Sequence, residues 1–66
     1  MRVMVNGEGR DVQTNLLLSE LLRTLEMDKP YVAVSVNMNC IPKLEYANLE
    51  LKENDEVEIL VPYQGG

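Results

Sequence analysis

Residues 17–37, LLSELLRTLEMDKPYVAVSVN, contain two hydrophobic patterns of different period, separated by a proline. The leucines before Pro30 have the spacing of one helical face: Leu18, Leu21, Leu22 and Leu25. The valines after it alternate with other residues, as in a strand with one buried face: Val32, Val34 and Val36. Since proline cannot continue a helix, we predict a helix over residues 17–26 and a strand over residues 31–37. Three residues are candidates to cap the helix start: Thr14, Asn15 and Ser19.

The residues before the helix indicate a β-hairpin. Residues 2–6 have a short strand pattern, and residues 10–14 are a weaker candidate for its antiparallel partner. Residues 6–9, NGEG, lie between them and favour a turn because Asn and Gly accept a positive φ.

The residues after the strand predicted over residues 31–37 indicate shorter elements. Asn37-Met38-Asn39 is expected to turn into a short strand around Cys40-Ile41, which Pro42 ends. Residues 44–48 indicate a single helical turn or an irregular connection, and residues 52–55 a polar turn. Leu49 and Leu51 are candidates to pack back onto the core. The last strand is predicted over residues 57–61.

These elements predict a single α+β domain over residues 1–66. The one amphipathic helix has to cover one face of a mixed sheet of four to five strands, because the chain offers no other apolar partner. A right-handed crossover through the helix would return the chain to the sheet. This arrangement is the β-grasp, or ubiquitin-like, roll, and we expect it to end in a flexible tail from about residue 62.

The composition argues against several classes of function. A chain of 66 residues with three Tyr and no Phe or Trp has little with which to enclose a deep pocket. With no histidine and one cysteine, it can form neither an internal disulfide nor a His- or Cys-rich metal site. Cys40 is expected to be a small buried hydrophobe. No segment suits a signal peptide or a bilayer span, so we expect a cytoplasmic location and no contact with a membrane.

The acidic residues are concentrated in the last third of the chain. Residues 1–43 contain five acids and five bases, whereas residues 44–66 contain six acids and one base, so the net charge of −5 lies there. Such a patch disfavours nucleic acid and favours a basic partner surface. Glu56 and Glu58, near the last strand, are candidate partner-binding residues together with Pro62, Tyr63 and Gln64, and a solubilising face is the alternative for the acids.

Several stretches make the chain similar to a known family: VNGE at 5–8, ELL at 20–22, VAVSVN at 32–37, IPK at 41–43 and LKENDEVEIL at 51–60. Together with the final Gly65-Gly66, they resemble the ubiquitin-like sulfur carrier family, and within it the carriers of the thiamine pathway. Most of these matches are signatures of the fold. The specific functional motif is Gly65-Gly66.

The resemblance implies a protein cosubstrate rather than an enzyme. An E1-like adenylyltransferase would use ATP to convert the Gly66 carboxylate into an acyl-adenylate. A sulfide equivalent from a persulfide sulfur donor would then displace AMP and leave a thiocarboxylate, whose sulfur a thiazole synthase would receive. The carrier itself is expected to bind no cofactor and to be a monomer when free.

The last residues suit a carboxylate that has to enter another protein's nucleotide site. Gly65 and Gly66 have no Cβ to obstruct a narrow channel, and Pro62 ends sheet pairing because it has no N–H. Tyr63 and Gln64 are expected to contact the channel wall. A proline before the tail is also similar to the small subunit of molybdopterin synthase. That destination stays open, as do a carrier for cysteine or methionine synthesis, a ubiquitin-like protein modifier and a binding module of the same fold.

Overall fold

The computed structural model describes residues 1–62 and shows, within them, five strands and one α-helix. The elements in chain order are β1 (Arg2–Val5), β2 (Glu8–Asp11), α1 (Leu18–Thr24), β3 (Ala33–Val36), β4 (Asn39–Cys40), a 3₁₀ helix (Lys43–Glu45) and β5 (Glu56–Leu60). The strands form one sheet in the order β2-β1-β5-β3-β4. β1 and β5 run parallel and the other neighbouring pairs run antiparallel. The predicted α+β β-grasp roll is confirmed.

One face of the sheet is buried against the helix because both elements have apolar residues at matching positions. The sheet contributes Val3, Val5, Val34, Val36, Val57 and Ile59. The helix contributes Leu18, Leu21 and Leu22, and the connections contribute Leu16, Val32 and Leu51. Among the described residues this core contains no buried polar or charged residue. Since burying a Val or Leu side chain contributes about 1.5–3 kcal/mol, the core is the main source of stability.

The helix is shorter than predicted, and its first turn is capped by backbone carbonyls together with the Glu20 side chain, which accepts the Leu17 N–H at 2.9 Å. None of the three candidate side chains caps it: Thr14, Asn15 or Ser19. Leu17 occupies the N-cap position and makes no side-chain cap bond. Instead, the Leu18 N–H donates to the Leu49 carbonyl at 2.9 Å, and the Ser19 N–H donates to the Tyr46 carbonyl at 3.0 Å. The segment before β5 thus satisfies donors that would otherwise need a capping side chain.

The first hairpin is tighter than predicted. Its turn consists of Asn6 and Gly7 alone, with φ of 50° and 85°. A two-residue turn with both φ values positive matches the twist of the flanking strands. Glu8, predicted as part of the turn, already pairs with Val5, so β2 covers residues 8–11 instead of 10–14.

The prediction that Cys40 is buried is wrong, because the side chain is exposed. Cys40 pairs with Ser35 of β3 and therefore lies on the face of the sheet opposite to Val34 and Val36. β4 is a two-residue strand at the sheet edge. Its neighbour Ile41 packs against the core in its place.

The remaining elements agree with prediction apart from their ends. β3 covers Ala33–Val36, within the range predicted for it, and directs Val34 and Val36 into the core. The predicted helical turn is the 3₁₀ helix at Lys43–Glu45. Leu51 is buried and Leu49 packs against the core. β5 begins and ends one residue earlier than predicted.

Candidate functional site

β5 leads directly into the predicted arm at the end of the chain. It is the central strand of the sheet, with β1 on one side and β3 on the other. Its last paired residue is Leu60, which lies opposite Ala33 of β3. Pro62 follows two residues later and is exposed. The other predicted arm residues lie outside the described residues: Tyr63, Gln64, Gly65 and Gly66.

Asn6 holds the end of β5 where β1 no longer pairs with it. The parallel pairing reaches only as far as Val5 opposite Val57, because the chain turns away at Asn6. The Asn6 N–H donates to the Val57 carbonyl at 2.9 Å, and its side-chain Oδ1 accepts the Ile59 N–H at 2.8 Å. One residue therefore continues the ladder of β5 toward the arm. The sequence indicated Asn6 only as a turn residue, because no local pattern shows which strand will lie beside it.

The sheet face opposite the helix is acidic at its centre. Glu56 and Glu58 alternate with the buried Val57 and Ile59, so both project from this face and both are exposed. Leu60 continues the same side of β5 and is 64% exposed. We call the surface around Glu56, Glu58 and Leu60 the open face.

The carboxylates of the open face are not neutralised by cations of residues 1–62. The ion pair found in that range joins Arg2 to Asp11, with Nη1 and Oδ1 3.3 Å apart. The Arg2 guanidinium lies over Gly9 of β2, where a Cβ would collide with it. This cation is therefore directed toward the sheet edge. Glu56 and Glu58 present their charge to solvent or to a partner.

A hydrogen-bonded turn fixes the first residue of β5. The side chain of Asn37 donates from Nδ2 to Asp55 Oδ1 at 2.9 Å, and its Oδ1 accepts the Glu56 N–H at 3.0 Å. Asp55 Oδ2 also accepts the Lys52 N–H at 2.8 Å. The turn between β3 and β4 therefore lies at the end of β5 that is opposite to Pro62.

A shallow cavity of about 230 Å³ lies on the helix side of the domain and is separate from the open face. Leu22 of α1, Met27 and Tyr46 are among the residues that line it. Burial raises the pKa of the Tyr46 hydroxyl. The Val34 backbone is close enough to lower that pKa in part. The hydroxyl nevertheless makes no hydrogen bond within residues 1–62. Tyr46 is thus a core-edge side chain with an enclosed polar atom.

Neither a metal cluster nor a membrane span is found in the part of the chain that the structure describes. Residues 1–62 bring no three His, Cys, Asp or Glu side chains into an arrangement that could hold a metal ion. The same range has no helix with the length and apolar character needed to cross a membrane.

Comparison with known proteins shows a family and similar solved structures. The model of the ThiS family matches residues 3–66. The chain is similar over its whole length to a crystal structure of a thiamine biosynthesis protein, ThiS, from Geobacter metallireducens, with 30% identity, full coverage of both chains and a TM-score of 0.85. It is also similar to a solution NMR structure of a thiamine biosynthesis protein from the same organism. That match has 30% identity and a TM-score of 0.83, and it covers 100% of this chain and 88% of the other.

A curated relative is a longer protein. A thiazole synthase from Paramagnetospirillum magneticum is 33% identical to the chain over 66 residues. The match covers all of this chain and 20% of the synthase, so the chain spans about a fifth of the length of that relative.

Proposed function

The chain belongs to the ThiS family, and from this premise we propose that it is a sulfur carrier of thiamine biosynthesis, a protein cosubstrate rather than an enzyme. The observation that carries the proposal is the match of the family model over residues 3–66, which includes both terminal glycines. The similarity to thiamine biosynthesis proteins over the whole chain supports the same function.

The proposed chemistry takes place at the carboxylate of Gly66. A carboxylate is a poor acyl donor, so an E1-like adenylyltransferase first joins it to the α-phosphate of ATP and releases pyrophosphate. The outer sulfur of a persulfide donor then attacks the acyl carbon and AMP leaves, which joins the carrier to the donor through an acyl disulfide. A thiol, acting as the reductant, attacks the donor's sulfur, forms a disulfide with it and releases the thiocarboxylate on the terminal glycine. Gly65 and Gly66 allow the arm to enter a narrow channel because they have no side chain. Tyr63 and Gln64 would contact the channel wall.

The open face is the proposed docking surface for the activating enzyme. It begins at the root of the arm, where Leu60 is exposed, and continues along β5 through Glu58 and Glu56. These carboxylates have no cationic partner within residues 1–62, so an enzyme with a basic surface would attract the carrier electrostatically. The rigid pairing of β5 on both sides supports this arrangement, because a docked sheet then sets where the arm starts.

The decisive experiment is mass spectrometry of the carrier after incubation with an activating enzyme of the family, ATP, a persulfide donor and a thiol. We expect the mass change of one oxygen replaced by sulfur, and we expect deletion of Gly66 to abolish it. Cys40→Ser is the matched control, because an exposed thiol is the other site that could take up sulfur. The variant should keep the full mass change. A change that survives loss of Gly66, or that disappears with Cys40, contradicts the proposal.

Thiazole synthase is the proposed recipient of the sulfur. The support is that one thiazole synthase contains a segment 33% identical to the entire chain. In that protein, a carrier-like domain and the synthase are parts of one polypeptide. Purification of the intact chain from its own cells should bring down a thiazole synthase. Recovery of the large subunit of molybdopterin synthase would instead favour delivery of the sulfur to that enzyme, the alternative suggested by Pro62. Conjugates linked to lysines of other proteins would favour a protein modifier. A cytoplasmic location and a monomeric free state stay predictions.

A further inference from the structure

The turn between β3 and β4 forms a second hairpin and contains a residue whose type does not suit its backbone conformation. Asn37 and Met38 connect β3 to β4 with φ of 51° and 70°. The first hairpin uses the same conformation, but there the second position is Gly7. A side chain with a Cβ is strained in this left-handed region, and only Asn, Asp and Gly adopt it readily. Met38 is also 90% exposed, so packing within the domain does not offset the strain.

The turn that contains Met38 lies beside the start of β5, at the end of the strand far from the arm. Asn37 donates to Asp55 and accepts the Glu56 N–H, which attaches the turn to the start of β5. From there β5 runs through Glu58 to Leu60, next to the arm. Met38 and Leu60 are therefore exposed apolar side chains near the two ends of β5, and the carboxylates between them have no cationic partner within residues 1–62.

We propose that Met38 is an apolar anchor by which the open face docks onto the activating enzyme, an inference that rests on the proposed function. An enzyme that adenylates a carboxylate has to bind the phosphates of ATP, and it does so with cationic groups around its site. Such a surface is complementary to Glu56 and Glu58. Met38 and Leu60 fill apolar pockets on either side of these ion pairs. The strain at Met38 persists because the exposed side chain is needed for binding rather than for folding.

The test replaces Met38 by glycine, which accepts the turn conformation and removes the side chain. We expect Met38→Gly to raise the Tm by about 4 °C because the strain is relieved. We expect the same variant to weaken the complex with the activating enzyme roughly tenfold, because a buried apolar contact is lost. Thermal unfolding measures the first effect. Titration calorimetry, together with the KM for ATP-dependent pyrophosphate release, measures the second.

Three variants serve as controls. Glu26→Gly relieves a similar positive φ, 59°, at the end of α1, so it should raise the Tm and leave the KM unchanged. Leu44→Ala removes a side chain that is 92% exposed on the 3₁₀ helix, and it should change neither quantity. Met38→Leu keeps an apolar side chain at the turn and should retain binding within about twofold of the wild type.

The outcomes separate this inference from the proposed function. Opposite changes in Tm and affinity for Met38→Gly, absent in Glu26→Gly, support the anchor. An unchanged KM for Met38→Gly overturns it. The anchor is also overturned if the variant binds the activating enzyme normally and loses affinity only for thiazole synthase or for a second copy of itself. In each of these cases the wild-type chain is still adenylated and the proposed function stands. If the wild-type chain is not adenylated, the proposed function itself fails.

Discussion

The two faces of the sheet differ although the same strands form both. On β5, Val57 and Ile59 are buried against the helix, whereas Glu56 and Glu58 are exposed on the open face. Because side chains alternate along a strand, one strand can serve folding on one side and binding on the other. The face packed against the helix, which we call the covered face, buries only aliphatic side chains among the described residues. The open face combines charge with exposed apolar groups. Substitutions on the two faces should therefore separate stability from partner binding.

The largest effect is expected from placing a charge on the covered face. Val57→Asp would bury a carboxylate without a partner, which should cost more than about 4 kcal/mol and leave the chain unfolded at 25 °C. Circular dichroism measures this loss. Glu58→Val is the control one residue along on the other face, and its stability should stay within about 0.5 kcal/mol of the wild type. A folded Val57→Asp variant would show that the two faces are assigned wrongly.

A cavity on the helix side should have the next largest effect. Leu21 is 1% exposed, so Leu21→Ala removes packed methyl groups and should lower the free energy of unfolding by about 3 kcal/mol. Urea denaturation measures the change. Leu44→Ala makes the same chemical change at an exposed site and should cost less than about 0.5 kcal/mol. Equal losses in the two variants would contradict the burial described above.

Alkaline pH should affect the edge of the covered face more weakly. Burial holds the pKa of Tyr46 above the ordinary value of 10.0, so the folded state favours the protonated hydroxyl. The stability from this preference is complete below pH 10 and is lost as the pH rises through the folded pKa. The free energy of unfolding should therefore fall more steeply above pH 10 in the wild type than in Tyr46→Phe. Identical pH dependence in the two proteins would mean that folding does not raise the pKa of the hydroxyl.

The smallest effect on stability, and a clear one on association, is expected on the open face. Reversing both charges, Glu56→Lys with Glu58→Lys, should change the free energy of unfolding by less than about 1 kcal/mol. The association rate with the activating enzyme should fall and lose its dependence on salt, because the steering attraction is removed. Stopped-flow measurements at two ionic strengths test this. Glu45→Lys on the 3₁₀ helix should retain the wild-type salt dependence, and if all three substitutions behave alike the acids only solubilise the domain.

Much of the fold could be predicted because its elements have strong local patterns. The leucine spacing in α1 and the valine alternation in β3 each depend on neighbours within a few residues, and Asn6-Gly7 is a local turn signal. The alternation of the last strand likewise leaves Glu58 outside the core. Element ends were less predictable. The first N–H groups of α1 donate to the carbonyl groups of Tyr46 and Leu49, which lie far along the chain.

The residues that hold β5 in position were missed for the same reason. Asn6 bonds to Ile59 across 53 residues, and Asn37 bonds to Asp55 and Glu56 across 18 and 19 residues. Such pairs have no local pattern, since they meet only after β1 and β5 lie side by side. The prediction that Cys40 is buried depends on its residue type and on its apolar neighbour Ile41. Its exposure depends on its pairing with Ser35.

The sequence by itself determined which leucines and valines avoid water, roughly where the helix and strands lie, and that two glycines follow an acidic strand. These properties follow from side-chain chemistry and from periods of two and 3.6 residues, which are local. Only the tertiary structure decided that β5 is the central strand, that Asn6 and Asn37 fix its two ends, and that the turn with the strained Met38 lies beside the start of β5. The reason is physical: these features arise from contacts between segments far apart in the chain, which no local pattern encodes.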